Sequence, residues 1–147
     1  MDMNEGPYRT ASFLIVDDDK VAVKTIERAM KSLRIANPTF VAGDGIEALK
    51  HLRAAVDESG GTLPPYIVLL DLSMPRMTGL EFLEVVRGDS VLSRLVVFVL
   101  TTSDAPGDIA AAYRRNVAGY ILKEDPSESM REGLEVIEAY SRLVVLP

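Results

Sequence analysis

Five short apolar runs recur along the chain at strand length: SFLIV (12–16), TFVA (39–42), YIVLL (66–70), LVVFVL (95–100) and AGYIL (118–122). They are apolar throughout, where a half-exposed strand would alternate, so the sheet they form needs cover on both faces. The intervals between them have helical spacing. Val23, Ile26, Met30 and Leu33 repeat at three- and four-residue steps, as do Leu49, Leu52 and Val56, then Leu80, Leu83 and Val86, then Met130, Leu134 and Ile137. Each set is the apolar stripe of a helix packed on a sheet. The interval 106–116, with IAAAY, shows little amphipathic contrast, but Pro106 suits a first helical turn. Gly43 and Gly45 punctuate the entry to the second helix, and SGGTLPP (59–65) reads as a longer loop before the third strand. Strand and helix alternate as (βα)5, the pattern of an α/β doubly wound parallel sheet.

Crossovers between parallel strands are almost always right-handed, so the strand ends that feed helices gather on one edge of the sheet. Ligands bind at that edge in open α/β sheets. Strand one ends in Asp17, Asp18 and Asp19, strand three in Asp71, strand four in Thr101, Thr102 and Ser103, and strand five in Lys123. Asp19 reads as the cap of the first helix. Asp71 is harder to excuse structurally, because a carboxylate directly after Ile67–Leu70 sits where a buried strand meets the surface.

Several function classes drop out on composition. With 22 acidic against 16 basic residues and a net charge of −6, the chain lacks an electrostatic grip on nucleic acid or anionic lipid. It contains no cysteine, which excludes thiolate chemistry, and its lone His51, on the charged side of the second helix, cannot build a zinc site and is given no role. The polar start MDMNEGPYRTAS is unlike a signal peptide, and no apolar run reaches membrane-span length. A soluble cytoplasmic protein is expected.

Clustered carboxylates with a single lysine raise one another's pKa unless a cation intervenes. Oxygen donors without His or Cys select a hard ion. A site with two or three carboxylates and room for water and phosphate suits Mg²⁺, with Mn²⁺ able to substitute. An ionised, oriented Asp71 is then a nucleophile toward phosphoryl groups, and the product is an aspartyl phosphate.

In order, FLIVDDD, LLDLSMPRMTG, VLTTS and GYILK resemble the acidic pair, phosphoacceptor segment, switch hydroxyl segment and lysine segment of response regulator receiver domains in two-component signalling. The resemblance spans residues 13–123. It implies a flavodoxin-like sheet with strand order 2-1-3-4-5. It implies that Asp17, Asp18 and Asp71 bind Mg²⁺ together with the backbone carbonyl of Ser73, and that Asp71 accepts the phosphoryl group from a histidine kinase. Thr101 would bond that group, Lys123 would pair with it, and Tyr120 would report the state through its rotamer. Pro75 and Gly79 would shape the loop after Asp71. Such a protein is a phosphoacceptor with at most slow self-dephosphorylation, not an enzyme in the ordinary sense.

Two positions depart from the family pattern. Glu124 follows the lysine where the family usually has proline, with Pro126 coming later, which leaves the loop into the last helix open. Thr102 is branched where the family prefers a very small residue, and slower loss of phosphate is the expected consequence. The segment NPTFVAGDGIEALKHL, the SGGTLPP loop and the missing Lys-Pro are similar to single-domain regulators that partner phytochrome-type histidine kinases. A receiver domain is expected over residues 10–141. The apolar tail 142–147 is expected to serve as a dimerisation arm embracing a second subunit. Two other readings compete. A haloacid dehalogenase-like phosphatase also forms an aspartyl phosphate, but wants a second aspartate where Ser73 stands. A non-phosphorylated pseudo-receiver has no need of the intact acidic set.

Overall fold

A computed structural model describes residues 10–123 and 129–147. The elements alternate as β1 (Ser12–Val16), α1 (Lys20–Ser32), β2 (Thr39–Ala42), α2 (Gly45–Glu58), β3 (Tyr66–Leu70), α3 (Gly79–Gly88), β4 (Val96–Thr101), α4 (Pro106–Arg114), β5 (Gly119–Leu122) and α5 (Ser129–Leu143). All strands are parallel, in the order β2-β1-β3-β4-β5. The structure agrees with the doubly wound (βα)5 sheet read from the spacing and with the flavodoxin-like strand order that the resemblance implies, and the 106–116 segment is helical over most of its length.

The period-2 geometry of the strands splits their side chains between two cores. Leu14, Val16, Val68, Leu70, Val97 and Val99 face α2, α3 and α4, while Phe13, Ile15, Ile67, Leu69, Phe98 and Leu100 face α1 and α5. This is why β1, β3 and β4 are apolar between Ser12 at the start of β1 and Thr101 at the end of β4. The expectation of cover on both faces fails at the edges. In β2, Phe40 and Val41 are 40% and 47% exposed, and β5 is only half-buried. An edge strand has one neighbour, so part of its surface stays open to solvent.

His51 is also placed differently from expectation. Instead of lying on a solvated face it is half-buried, its Nε2 2.9 Å from the Tyr66 hydroxyl and its ring centroid 4.8 Å from that of Phe40. The imidazole thereby covers part of the exposed edge of β2.

Helix starts are specified locally. Asp19 caps α1, accepting from the backbone N–H of Val21 (2.9 Å) and Ala22 (3.3 Å), as the sequence suggests. Thr78 and Glu81 form a reciprocal capping box at α3. On the opposite edge of the sheet, Arg87 donates to the carbonyls of Leu95 (2.7 Å), Arg115 (2.8 Å), Ser93 (2.9 Å) and Asn116 (3.0 Å), tying two connections to α3. Burial lowers the pKa of its guanidinium below the usual value.

The tail only partly matches an arm with nothing intramolecular to cover it. Leu146 turns back and packs against the α1/α5 core, and with Pro147 it borders a hollow of about 470 Å³ beside Leu63 and Pro65. Leu143 remains 75% exposed, with Val144 and Val145 at 41% and 50%. Among the described residues no helix is long and apolar enough to cross a membrane.

Candidate functional site

Parallel strands deliver their C-terminal ends to one edge, and the register of β1, β3 and β4 sets how those ends line up. Val16 pairs with Leu70 and Leu70 with Val99, so the next residues of β1 and β3, Asp17 and Asp71, emerge side by side. The backbone continues the ladder, with Asp71 N–H donating to Val16 C=O (2.9 Å) and Lys123 N–H to Thr101 C=O (2.9 Å). Residues more than a hundred positions apart thus meet because the sheet is parallel and in register.

Asp17, Asp18 and Asp71 each offer a carboxylate oxygen, all within 4.8 Å of one another. Asp17 and Asp71 are buried and Asp18 is exposed. The Lys123 ammonium donates to Asp17 Oδ2 (2.6 Å) and lies 3.8 Å from Asp71 Oδ1. The other Asp17 oxygen accepts from Asp19 N–H (2.9 Å), which fixes that carboxylate. One ammonium thus pairs with two of the three carboxylates and leaves the cluster with surplus negative charge. Burial raises the Asp71 pKa above the usual carboxylate value; Lys123 opposes the rise, the charges of Asp17 and Asp18 add to it, and the Thr101 hydroxyl again opposes it. Surplus anionic charge, oxygen donors alone and a partly open position fit a hard divalent cation.

The cluster opens into a cleft of about 300 Å³ whose walls include Val21 and Thr25 of α1, Ser73 and Thr102. Thr102 is exposed there, beside Asp71, whereas Thr101 is fully buried at the end of β4. Ser73 also borders a second, wider hollow shared with Asp18, Pro75 and Asp108. Tyr120, half-buried on β5, donates through its hydroxyl to the Ser103 carbonyl (2.8 Å), and Ser103 Oγ donates to Asp108 Oδ2 (2.6 Å). The aromatic ring is thereby tied to the β4–α4 connection rather than to the acidic cluster. Glu124 and Pro126, on which the departure from the family's lysine segment rests, lie outside the described residues.

Gly79 shows why glycine starts α3. A Cβ there would lie 2.5 Å from the Asp71 carbonyl oxygen and 2.7 Å from the Leu72 Cα, both backbone atoms that cannot step aside. Its N–H donates to the Leu72 carbonyl (3.0 Å), so α3 begins flush against the chain leaving Asp71.

The motif reading overlooked two residues at the same edge. Asp44, buried at the start of α2, uses Oδ1 to accept from Glu47 N–H (2.9 Å) and Oδ2 to accept from Arg76 Nε (2.8 Å) and Nη2. The Glu47 N–H, against the opposing effect of burial and with help from Arg76, holds the Asp44 carboxyl below its usual pKa. The Asp-x-x-Glu spacing at 44–47 was the available signal for the cap; nothing in the local sequence points to Arg76.

Comparison with known proteins agrees with this geometry. The response regulator receiver domain family matches residues 13–135. The probable methanogenesis regulatory protein FilR2 of Methanothrix harundinacea is 34% identical over 127 residues, covering 86% of this chain and 81% of that protein. The Mn²⁺-bound form of response regulator Rcp1, a Synechocystis protein, superposes with a TM-score of 0.78 at 28% identity, covering 93% of this chain and 99% of the other. The phosphorylated cyanobacterial phytochrome response regulator RcpA superposes with a TM-score of 0.79 at 28% identity, covering 93% and 98%. Fold, clustered carboxylates and sequence agree: this chain belongs to the response regulator receiver domain family.

Proposed function

We propose that this chain is a response regulator that takes a phosphoryl group from a histidine kinase onto Asp71 in the presence of Mg²⁺, and that the modified site switches its protein contacts. The observation that carries the reading is the convergence of Asp17, Asp18 and Asp71 within 4.8 Å, with Lys123 against two of them. An Asp71 oxygen attacks phosphorus, the phosphorus–nitrogen bond to the kinase histidine breaks with its electron pair leaving on nitrogen, and an acyl phosphate forms. Asp17, Asp18, Asp71 and the Ser73 carbonyl would hold the cation, and Mg²⁺, or Mn²⁺ in its place, would supply charge neutralisation for the phosphoryl group. Lys123 moves its charge from Asp17 toward the incoming group. Thr101 then bonds that group, drawing the β4–α4 connection inward, and Tyr120 leaves the Ser103 carbonyl as the connection shifts. Thr102 narrows water's approach to the acyl phosphate and slows its loss.

Similarity to the phytochrome response regulator RcpA supports a phytochrome-type kinase as the cognate partner, and we place the pair in the cytoplasm. Incubation with a small phosphodonor and Mg²⁺ is expected to give stable incorporation, detected by intact mass, that a chelator abolishes. Rapid turnover of the donor with no retained label would favour a phosphatase, and no reaction a pseudo-receiver. We assign residues 10–141 to the receiver and the exposed Leu143, Val144 and Val145 to a homodimer contact. Light scattering on a chain truncated after Ser141 is expected to report half the mass of the intact protein; an unchanged mass removes the tail from the interface.

A further inference from the structure

We propose that Arg76 is a positioning residue for the cation site, acting through Asp44; the inference rests on the reading of Asp17, Asp18, Asp71 and the Ser73 carbonyl as the cation's ligands. Between Asp71 and the first residue of α3 the chain makes a loop whose base is fixed by Leu72 and Gly79. Met74 seats its side chain in the core shared with α2 and α3, while Ser73, Pro75 and Arg76 on either side of it are exposed. Two contacts bind the tip to the start of α2. The Arg76 guanidinium donates to Asp44 Oδ2 through Nε (2.8 Å) and Nη2. The Met77 side chain lies against Gly45 so closely that a Cβ on that glycine would sit 2.7 Å from its sulfur.

The Arg76 pair differs from an ordinary surface ion pair. Exposed pairs contribute little because water competes for both partners, but here the Asp44 side chain is only 6% exposed. Its other oxygen is committed to the cap of α2, so Arg76 is its charged partner. The backbone accepts a cost to make this contact. Arg76 has a φ of 63°, in the left-handed region, and Met77 N–H closes a three-residue turn back to the Pro75 carbonyl (2.7 Å). Arginine carries a Cβ penalty there that glycine would not, so its presence is explained by what its side chain reaches and not by the turn.

The consequence falls on Ser73, three residues before Arg76 in the same short loop and on the wall of the cleft that holds Asp71. A carbonyl ligand has no side-chain freedom with which to find a cation, so its position depends on where the loop is held. Outer contacts that orient ligands typically affect metal affinity by about 10- to 100-fold. Anchoring the tip on α2 adds a fixed point to those at Met74 and Gly79 and narrows where the carbonyl can sit.

Arg76→Gly separates this role from a structural one, because glycine relieves the backbone at φ 63° while removing the guanidinium. Mn²⁺ titration of the full chain, followed by the electron paramagnetic resonance signal of the free ion, is expected to show saturable binding by wild type and its loss in Asp17→Asn. Arg76→Gly is expected to bind about tenfold more weakly at a temperature where both cation-free proteins are fully folded, and Arg76→Lys to recover part of the affinity. In an Asp44→Asn background, which keeps the helix cap, Arg76→Gly is expected to add no further loss. Arg76→Gly binding as tightly as wild type, or losing as much affinity in the Asp44→Asn background as it does alone, overturns the proposal while leaving the ligand assignment intact. Asp17→Asn binding as tightly as wild type overturns the ligand assignment and the proposal with it.

Discussion

Asp71→Asn is expected to reduce phosphoryl incorporation from a small phosphodonor to background while leaving the fold unchanged. The substitution keeps the shape of the side chain and replaces an anionic oxygen nucleophile with an amide, which is neutral and far less nucleophilic. It also removes one of three carboxylates that lie within 4.8 Å of one another, so the cation-free protein is expected to unfold at the same or a higher temperature. Loss of incorporation alongside retained stability separates a chemical role from a structural one. Intact mass after donor treatment, paired with thermal unfolding of the same sample, measures both. Incorporation persisting at the wild-type level in Asp71→Asn would move the acceptor to another residue.

The second large effect is on stability. Phe82→Ala is expected to cost about 3–5 kcal/mol, the usual range for deleting a fully buried phenyl group and leaving a cavity behind. Phe82 is fully buried on α3, in the core formed with α2 and α4. Its helix begins at the Thr78 capping box and at Gly79, against the backbone of Asp71, so loss of the ring is felt at the site as well as in the core. Urea unfolding measures the change; a cost below about 1 kcal/mol would mean that the site collapses without penalty, contrary to the close packing of the α3 face.

Much of this architecture was legible because its constraints are local. Unbroken apolar runs at β1, β3 and β4 follow from burial on both faces, and the parallel topology then brings Asp17, Asp71, Thr101 and Lys123 to one edge without reference to any contact. The misreadings have the opposite character. The general expectation of cover on both faces does not hold for TFVA: β2 lies at the sheet edge, as the strand order 2-1-3-4-5 implies, and Phe40 and Val41 are exposed. The edge position comes from the family strand order, while the four residues themselves carry no mark of how far each side chain is covered. His51 sits among charged neighbours in sequence and among aromatic rings in space, because Phe40 and Tyr66 approach it from two different strands. Arg76 escaped notice for the same reason: its partner is 32 residues away, and an arginine in a loop carries no periodicity. The tail reads as unpaired from composition, but Leu146 finds a seat on its own core where α5 ends.

The assignment of Asp71 as the acceptor is tested most directly by locating the modified residue. After treatment with phosphodonor and Mg²⁺, borohydride reduction converts an acyl phosphate on aspartate to the corresponding alcohol, homoserine, which peptide mass mapping locates in the chain. The expected result is homoserine at position 71, absent when Mg²⁺ is withheld by a chelator. Homoserine at position 17 or 18, or an unreduced chain after confirmed donor treatment, would contradict the assignment of Asp71 as the phosphoacceptor.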